Sequence, residues 1–465
     1  MKCRICVIAS MLILICMGTQ VELRHISFDN LSLAEEYQDI LIISGYTTFE
    51  NKEINLSKGV VIESGGNLVV INCSVEVSGN VDVKHGGRLE TYNCVFTGEY
   101  SIKIYGSALL QGCEFSGLEG NWNASGIQVY SSEVTIVGCK VYSYKETKDR
   151  ILSGIMCVGF SPKIIDTKVE NLGLGIKLVS SNAKIESCEI KRNEKGILCV
   201  DSKMDIVSCV IEDNGELGLG LYNSEGKVEN CKIYRNSIGI ECVEGTKTKI
   251  ITNEIGYSKI GIRIVESSPE IMQNRILQCN EGINGYYSNE SIVGNIFEND
   301  TYAYHSIGRA YSLSFMTKNH IVNVQTVIMQ SWMITLHIED ENENALVANV
   351  EVRDANGKKV FEGKSREDGV ISIQLCEFQV GPDESYNPYN IKVSKGSAYE
   401  KFRISVTNNL EKKVIIVLSE EKSFSDITIF VIFVIVVFAI ILSVMLLFKR
   451  GKRKKMHKGR RKKKR

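Results

Sequence analysis

Gly196-Ile197-Leu198-Cys199-Val200, with Cys209 following, is succeeded by Gly218-Leu219-Gly220-Leu221-Tyr222, with Cys231 following. The same glycine-aliphatic pair recurs outward in both directions, at Gly175-Ile176, Gly239-Ile240, Gly261-Ile262 and Gly282-Ile283. A small polar residue or thiol stands 13 or 14 positions after each glycine: Cys188, Cys209, Cys231, Asn253, Asn274 and Asn295. A third register opens a second strand in each unit, at Pro162-Lys163-Ile164, Ala183-Lys184-Ile185, Met204-Asp205-Ile206, Gly226-Lys227-Val228 and Pro269-Glu270-Ile271. All steps are 21 or 22 residues. Three ladders in phase identify a structural repeat, and the local alternation of apolar and polar residues makes its parts short strands.

Strands this short cannot close a core alone, but stacked coils can, each pairing its strands with the next. A 21- to 22-residue coil with two or three strands resembles the right-handed parallel β-helix of pectate-lyase-like proteins and of periplasmic copper-maturation proteins. The resemblance covers residues 126–300 most clearly and runs back, through Gly86-Gly87 and Gly65-Gly66, to about residue 45. Some twelve coils at roughly 4.8 Å each predict a rod about 55 Å long. Loops Ser116–Ser125, with Trp122, and Tyr144–Ser153 interrupt the period just before Gly126 and Gly154, so both project from one edge. Such insertions are common binding surfaces on solenoids.

The expected organisation is all-β apart from one helix: a signal peptide over 1–20, a right-handed parallel β-helix over 25–305, a connector over 306–332, a small β-sandwich over 333–420, a transmembrane helix over 427–448 and a basic tail over 449–465. The sandwich resembles carboxypeptidase-regulatory-like domains, which implies a spacer without chemistry. The N-terminus has the charged, apolar, small-residue order of a secretory signal. Ile427 to Phe448 is 22 residues without a charge, and a spanning helix needs about 20. The tail holds 13 of the 55 basic residues and no acid, so the rest of this formally neutral chain sums to about −13. By the positive-inside rule the tail is cytoplasmic, against anionic lipid head groups, and the ectodomain outside the cell membrane. No nucleic-acid partner is expected. Six glycosylation sequons, at Asn30, Asn55, Asn72, Asn123, Asn289 and Asn299, suit an exterior location.

Fifteen cysteines would invite a metal site, and the resemblance to copper-maturation proteins invites a soft one. No Cys-x-x-Cys outside the N-terminal segment and no His-x-x-His supports it, so no metal and no cofactor is expected. Cys157, Cys199 and Cys242 share a slot with Leu178, Leu221 and Ile264, which makes them core fillers. Cys73, Cys94, Cys139, Cys188, Cys209 and Cys231 share theirs with asparagine, which predicts a stacked inward ladder. A Cys209–Cys231 bridge is sterically open, with free thiols preferred.

The pectate-lyase-like resemblance also implies a polysaccharide lyase or glycosidase. Hydrolysis needs two carboxylates about 5–9.5 Å apart. The outward row Gln128, Met156, Lys177, Leu198, Gly220, Glu241, Arg263, Asn284 never presents two acids in succession. If the protein were an enzyme, Glu146, Asp149 and Asp213 would be its candidate acids, although solvated turns explain them as well. The next outward row, Tyr130, Val158, Val179, Val200, Tyr222, Val243, Val265, Tyr286, predicts an apolar stripe, either a binding surface or a face covered by other parts. The expected function is non-catalytic binding or display at the cell surface. A polysaccharide or other surface glycan is the expected partner, held by Trp122, Tyr130, Tyr222 and Tyr286. A membrane-tethered carbohydrate-active enzyme is the alternative.

Overall fold

A computed structural model of the chain describes residues 35–117, 126–143, 153–311, 314–381, 384–418 and 430–446. Trp122, Glu146, Asp149, the expected signal peptide and the basic tail lie outside the described residues. The described chain divides into two units: residues 1–283, 288–300 and 315–323, and residues 284–287, 301–314 and 324–465.

The first unit is a stack of parallel coils. One sheet takes a single strand from each, 12 strands in sequence order from Tyr46–Glu50 to Ser291–Val293. Register is kept by repetition: Ile185 faces Ile206, which faces Val228, Ile250 and Ile271 in turn. All five are fully buried. A one-residue slip would turn such a row to solvent, so the apolar row fixes the pairing.

Glycine is required at the start of the repeat because backbones meet there. A Cβ added to Gly196 would lie 2.4 Å from the carbonyl oxygen of Gly218, and one on Gly218 would lie 2.6 Å from that of Gly239. The corner preceding the polar row is left-handed in every coil, at Ser187, Ser208, Asn230, Thr252 and Gln273. It turns the next side chain inward, and that side chain then satisfies the corner's buried amides. The Cys231 N–H donates to Asn253 Oδ1 at 2.9 Å, Asn253 to Asn274 at 2.9 Å, and Asn274 to Asn295 at 2.9 Å. Each Asn Nδ2 reaches the next rung and a carbonyl one rung back.

Cysteine takes the same role earlier in the row, where the Cys209 N–H points to Cys231 Sγ at 3.4 Å and Cys94 N–H to Cys113 Sγ at 3.3 Å. Cys113 belongs to this row and was not in the sequence-based set. All described cysteines are free thiols, Cys209 and Cys231 included. Burial pushes the Cys199 thiol up to about 12, so in its slot beside Leu178 and Leu221 it packs as a small hydrophobe.

The second unit departs from the expected boundaries. The expected connector over 306–332 contains a short helix, Ser314–Lys318, and a strand, His320–Val322, and the strand Thr326–Asp340 runs through the expected junction at residue 332. Its first half pairs in parallel with Tyr302–Ile307, and it also pairs with Val370–Val380 and Leu410–Ile416. The polar pair Gln330-Ser331 hid this continuity, because a register shift there buries both side chains and breaks the alternation. A four-stranded antiparallel sheet, with Lys359–Lys364 next to Asn349–Arg353, then Tyr389–Lys395 and Ala398–Ile404, supplies Val350, Val352, Ile391 and Val393 to a common core with Ile334, Leu336 and Ile338.

Residues 430–446 form a helix whose side chains are all exposed, Phe430 and Phe438 each at 67%. This covers only part of the span expected over 427–448. No helix among the described residues is long and apolar enough to cross a membrane.

Candidate functional site

The outward rows read from the sequence exist in the first unit. Gln128, Met156, Lys177, Leu198, Gly220, Glu241 and Arg263 are consecutive partners across the coils, and Val158, Val179, Val200, Tyr222 and Val243 run beside them. The tyrosines of the second row do not form one surface. Tyr130 stacks on Tyr105 with ring centroids 4.8 Å apart and planes 10° apart, and His85 follows at 5.7 Å from Tyr105. Rings piled along the coil axis spend a face on one another and turn their edges outward. Tyr130 also donates to Gln128 Oε1 at 3.0 Å, and burial, then neighbouring Tyr105, raises its hydroxyl above the ordinary value. Tyr286 is described with the second unit, edge-on to Tyr287 at 4.7 Å.

Tyr222 behaves differently, and Gly220 is the reason. A Cβ on Gly220 would lie 3.1 Å from Tyr222 Cε2, 2.8 Å from Leu217 Cδ2 and 3.0 Å from Leu198 Cδ1. The ring therefore leans over the bare backbone of Gly220, where Leu217 and Leu198 also come close. Its hydroxyl reaches the next coil and donates to Glu241 Oε2 at 2.8 Å. Arg263 Nη1 stands 3.2 Å from Glu241 Oε1, with Glu241 13% and Arg263 45% exposed. Burial, and then the bond to Glu241, hold the Tyr222 hydroxyl up at about 12.

That cluster has the chemistry of a polar-rimmed platform. A flat aromatic face takes the apolar face of a ring, and the carboxylate and the open edge of the guanidinium take hydroxyl or charged substituents. It is poorly suited to general base catalysis. A tyrosine that loses its proton near 12 remains a donor at neutral pH, and Glu241 already accepts from two partners.

The acids around Asp213 are held in ion pairs. Arg235 grips Asp213 through Nε at 2.7 Å and Nη2 at 3.0 Å, and its Nη2 also meets Glu212 at 2.6 Å. The Arg235 guanidinium holds the Asp213 carboxyl below the ordinary range. Glu216, the other acid near Asp213 in the chain, pairs with Lys195 at 3.3 Å. Asp213, one of the candidate acids, is thus held ionised by Arg235, a state in which it cannot donate a proton. Among the described residues no group of three or more His, Cys, Asp or Glu is placed to hold a metal ion.

The sequence row contained Gly220, Glu241 and Arg263 without marking them as a site. The signal was there, since Gly220 is the one glycine of that row and lies two residues before a tyrosine.

No curated protein matches the chain. Solved structures similar to it include the Bacillus anthracis TIE protein (TM-score 0.15, 22% identity, 22% of this chain and 19% of that one). The A-module of the Azotobacter vinelandii mannuronan C-5 epimerase AlgE4 gives 0.35 at 13% identity, over 61% of this chain and 88% of that one. The enzymatically active domain of bacteriophage CBA120 tailspike protein 2 gives 0.33 at 10%, over 75% and 70%. None of these values carries a property from those proteins to this chain. The right-handed β-helix region family matches at residues 79–216 and at 179–325. Together these ranges span more than half of the 465 residues, and the chain belongs to the right-handed β-helix family.

Proposed function

We propose that the protein is a membrane-anchored surface molecule whose β-helix binds a glycan without cleaving it, through the platform of Tyr222, Glu241 and Arg263. The observation that carries this reading is the Tyr222 ring laid over Gly220 beside a carboxylate and a guanidinium. A sugar ring stacked on Tyr222 places its equatorial hydroxyls within reach of Glu241 and Arg263. Against catalysis stand the raised tyrosine hydroxyl and the clamping of Asp213. The uncharged run 427–448 and the basic residues after it support an anchor with the β-helix outside and the tail against anionic lipid head groups.

The full chain in neutral detergent is incubated with a panel of acidic and neutral polysaccharides, and retention and released reducing ends are both measured. Retention without release above a boiled control is the expected result. Release above that control would overturn the binding reading in favour of a carbohydrate-active enzyme. Protease digestion of intact cells expressing the chain tests the anchor: loss of the β-helix with survival of the tail is expected.

A further inference from the structure

The outer face of the four-stranded sheet in the second unit carries a groove of about 570 Å³. Three adjacent strands line it at two levels. Glu351 faces Lys392, which faces Lys401, and Arg353 faces Asn390, which faces Arg403. Phe402, between Lys401 and Arg403 on its strand, turns its side chain to the core on the opposite face. Four of these six polar positions are cationic and one is acidic. The acid is taken already, since Arg353 Nε binds Glu351 Oε1 at 2.6 Å. Among the described residues Lys392, Lys401 and Arg403 have no ion pair.

This arrangement costs the free protein something. Like charges directly opposite on neighbouring strands repel, and Lys392 and Lys401 are such a pair. Their relief inside the chain is the exposed ring of Tyr399, with the Lys392 ammonium 5.4 Å and the Lys401 ammonium 5.0 Å from its centroid. A residual positive field also stands out on a chain that, without its tail, is acidic by about 13 charges. Strand spacing of about 4.8 Å makes the groove roughly two spacings wide. That is the width of an extended polymer chain, and a concave surface admits a chain where a flat bilayer cannot follow.

We infer that this groove is a second, separate binding site, for an acidic polysaccharide. Carboxylates recurring along the polymer meet the Arg403 fork and the Lys392 and Lys401 ammonium groups, and the polymer's apolar edges meet Tyr399. The site needs nothing from the Tyr222 platform.

The test uses the full chain, in both wild-type and Tyr222→Ala forms, with polygalacturonate as the probe, neutral dextran as its uncharged counterpart, and vesicles of anionic lipid. Replacing Lys392, Lys401 and Arg403 by Gln is compared with a charge-matched control, Lys163→Gln, Lys184→Gln and Lys247→Gln, on the outer face of the coils. The groove variant is expected to bind polygalacturonate about tenfold more weakly in both backgrounds, with the difference shrinking at high salt. The control set is expected to bind as wild type does, and a thermal melt no lower than wild type's shows that the groove variant is folded. Equal losses from the two sets, no loss from the groove set, or a loss seen only with vesicles would each overturn the proposal.

Discussion

Tyr130 and Tyr222 stand in the same outward row, four rungs or about 19 Å apart, and do different work. Tyr130 faces Tyr105 one coil back and piles against it. Tyr222 has Gly220 beside it and lies down across the sheet to reach Glu241. The row is therefore a structural fact and not a functional unit: what an outward side chain does depends on the residue two positions before it and on the coil next door. The inward rows obey the opposite rule. Their members are interchangeable so long as each satisfies the next, so Cys231 gives way to Asn253 with no break in the ladder.

The contrast breaks most severely if the interior rule is violated. Gly218→Val puts side-chain atoms against the Gly239 carbonyl and Asn236, and a loss of more than about 4 kcal/mol in urea unfolding is expected, if the chain folds at all. The interior also contains one member that fails its row. Asp300 follows Asn193, Asn214, Asn236, Ser258 and Cys279 in the corner column; its Oδ1 accepts from the Cys279 N–H at 2.7 Å, and its buried Oδ2 has no partner. Burial pushes its carboxyl up to about 7.

The folded state then holds a proton that the unfolded chain has released above about pH 4. Stability falls as pH rises from 4 to 7 and stays low beyond it. Asp300→Asn removes that cost and restores the column's donor. It is expected to raise stability at pH 8 by as much as about 4 kcal/mol and to change little at pH 4. Melting curves at the two pH values check this, and an equal effect at both would refute it.

On the outer face the effects are smaller and fall on binding. Gly220→Val meets only the ends of flexible side chains, so the coils are expected to fold while the displaced Tyr222 ring loses its glycan. A loss of about tenfold in affinity, or about 1.4 kcal/mol, is expected. Tyr130→Ala removes one stacked pair and is expected to cost about 1 kcal/mol of stability with affinity unchanged.

The repeat was legible in the sequence because three constraints act on it at once: backbone contact demands glycine, the sealed interior demands aliphatic residues, and the corner amides demand a polar or thiol side chain. Each leaves a period of 21 or 22 residues. The tyrosine row was equally visible, but ring orientation is not periodic. It follows from one local exception, Gly220, whose meaning appears only when Glu241 is placed one coil away. Asp213 looked available because sequence cannot show Arg235 returning to it from the following coil. The boundary expected at residue 332 falls inside the strand Thr326–Asp340 for a similar reason, as buried Gln330 and Ser331 find polar partners that local pattern cannot supply.

The measurement that bears most directly on the platform is the affinity of the full chain for its best-retained polysaccharide, taken side by side for wild type, Gly220→Val and Tyr130→Ala. A ring held flat by glycine predicts that Gly220→Val loses binding while Tyr130→Ala keeps it. Equal affinities for all three, or a loss only in Tyr130→Ala, would contradict it.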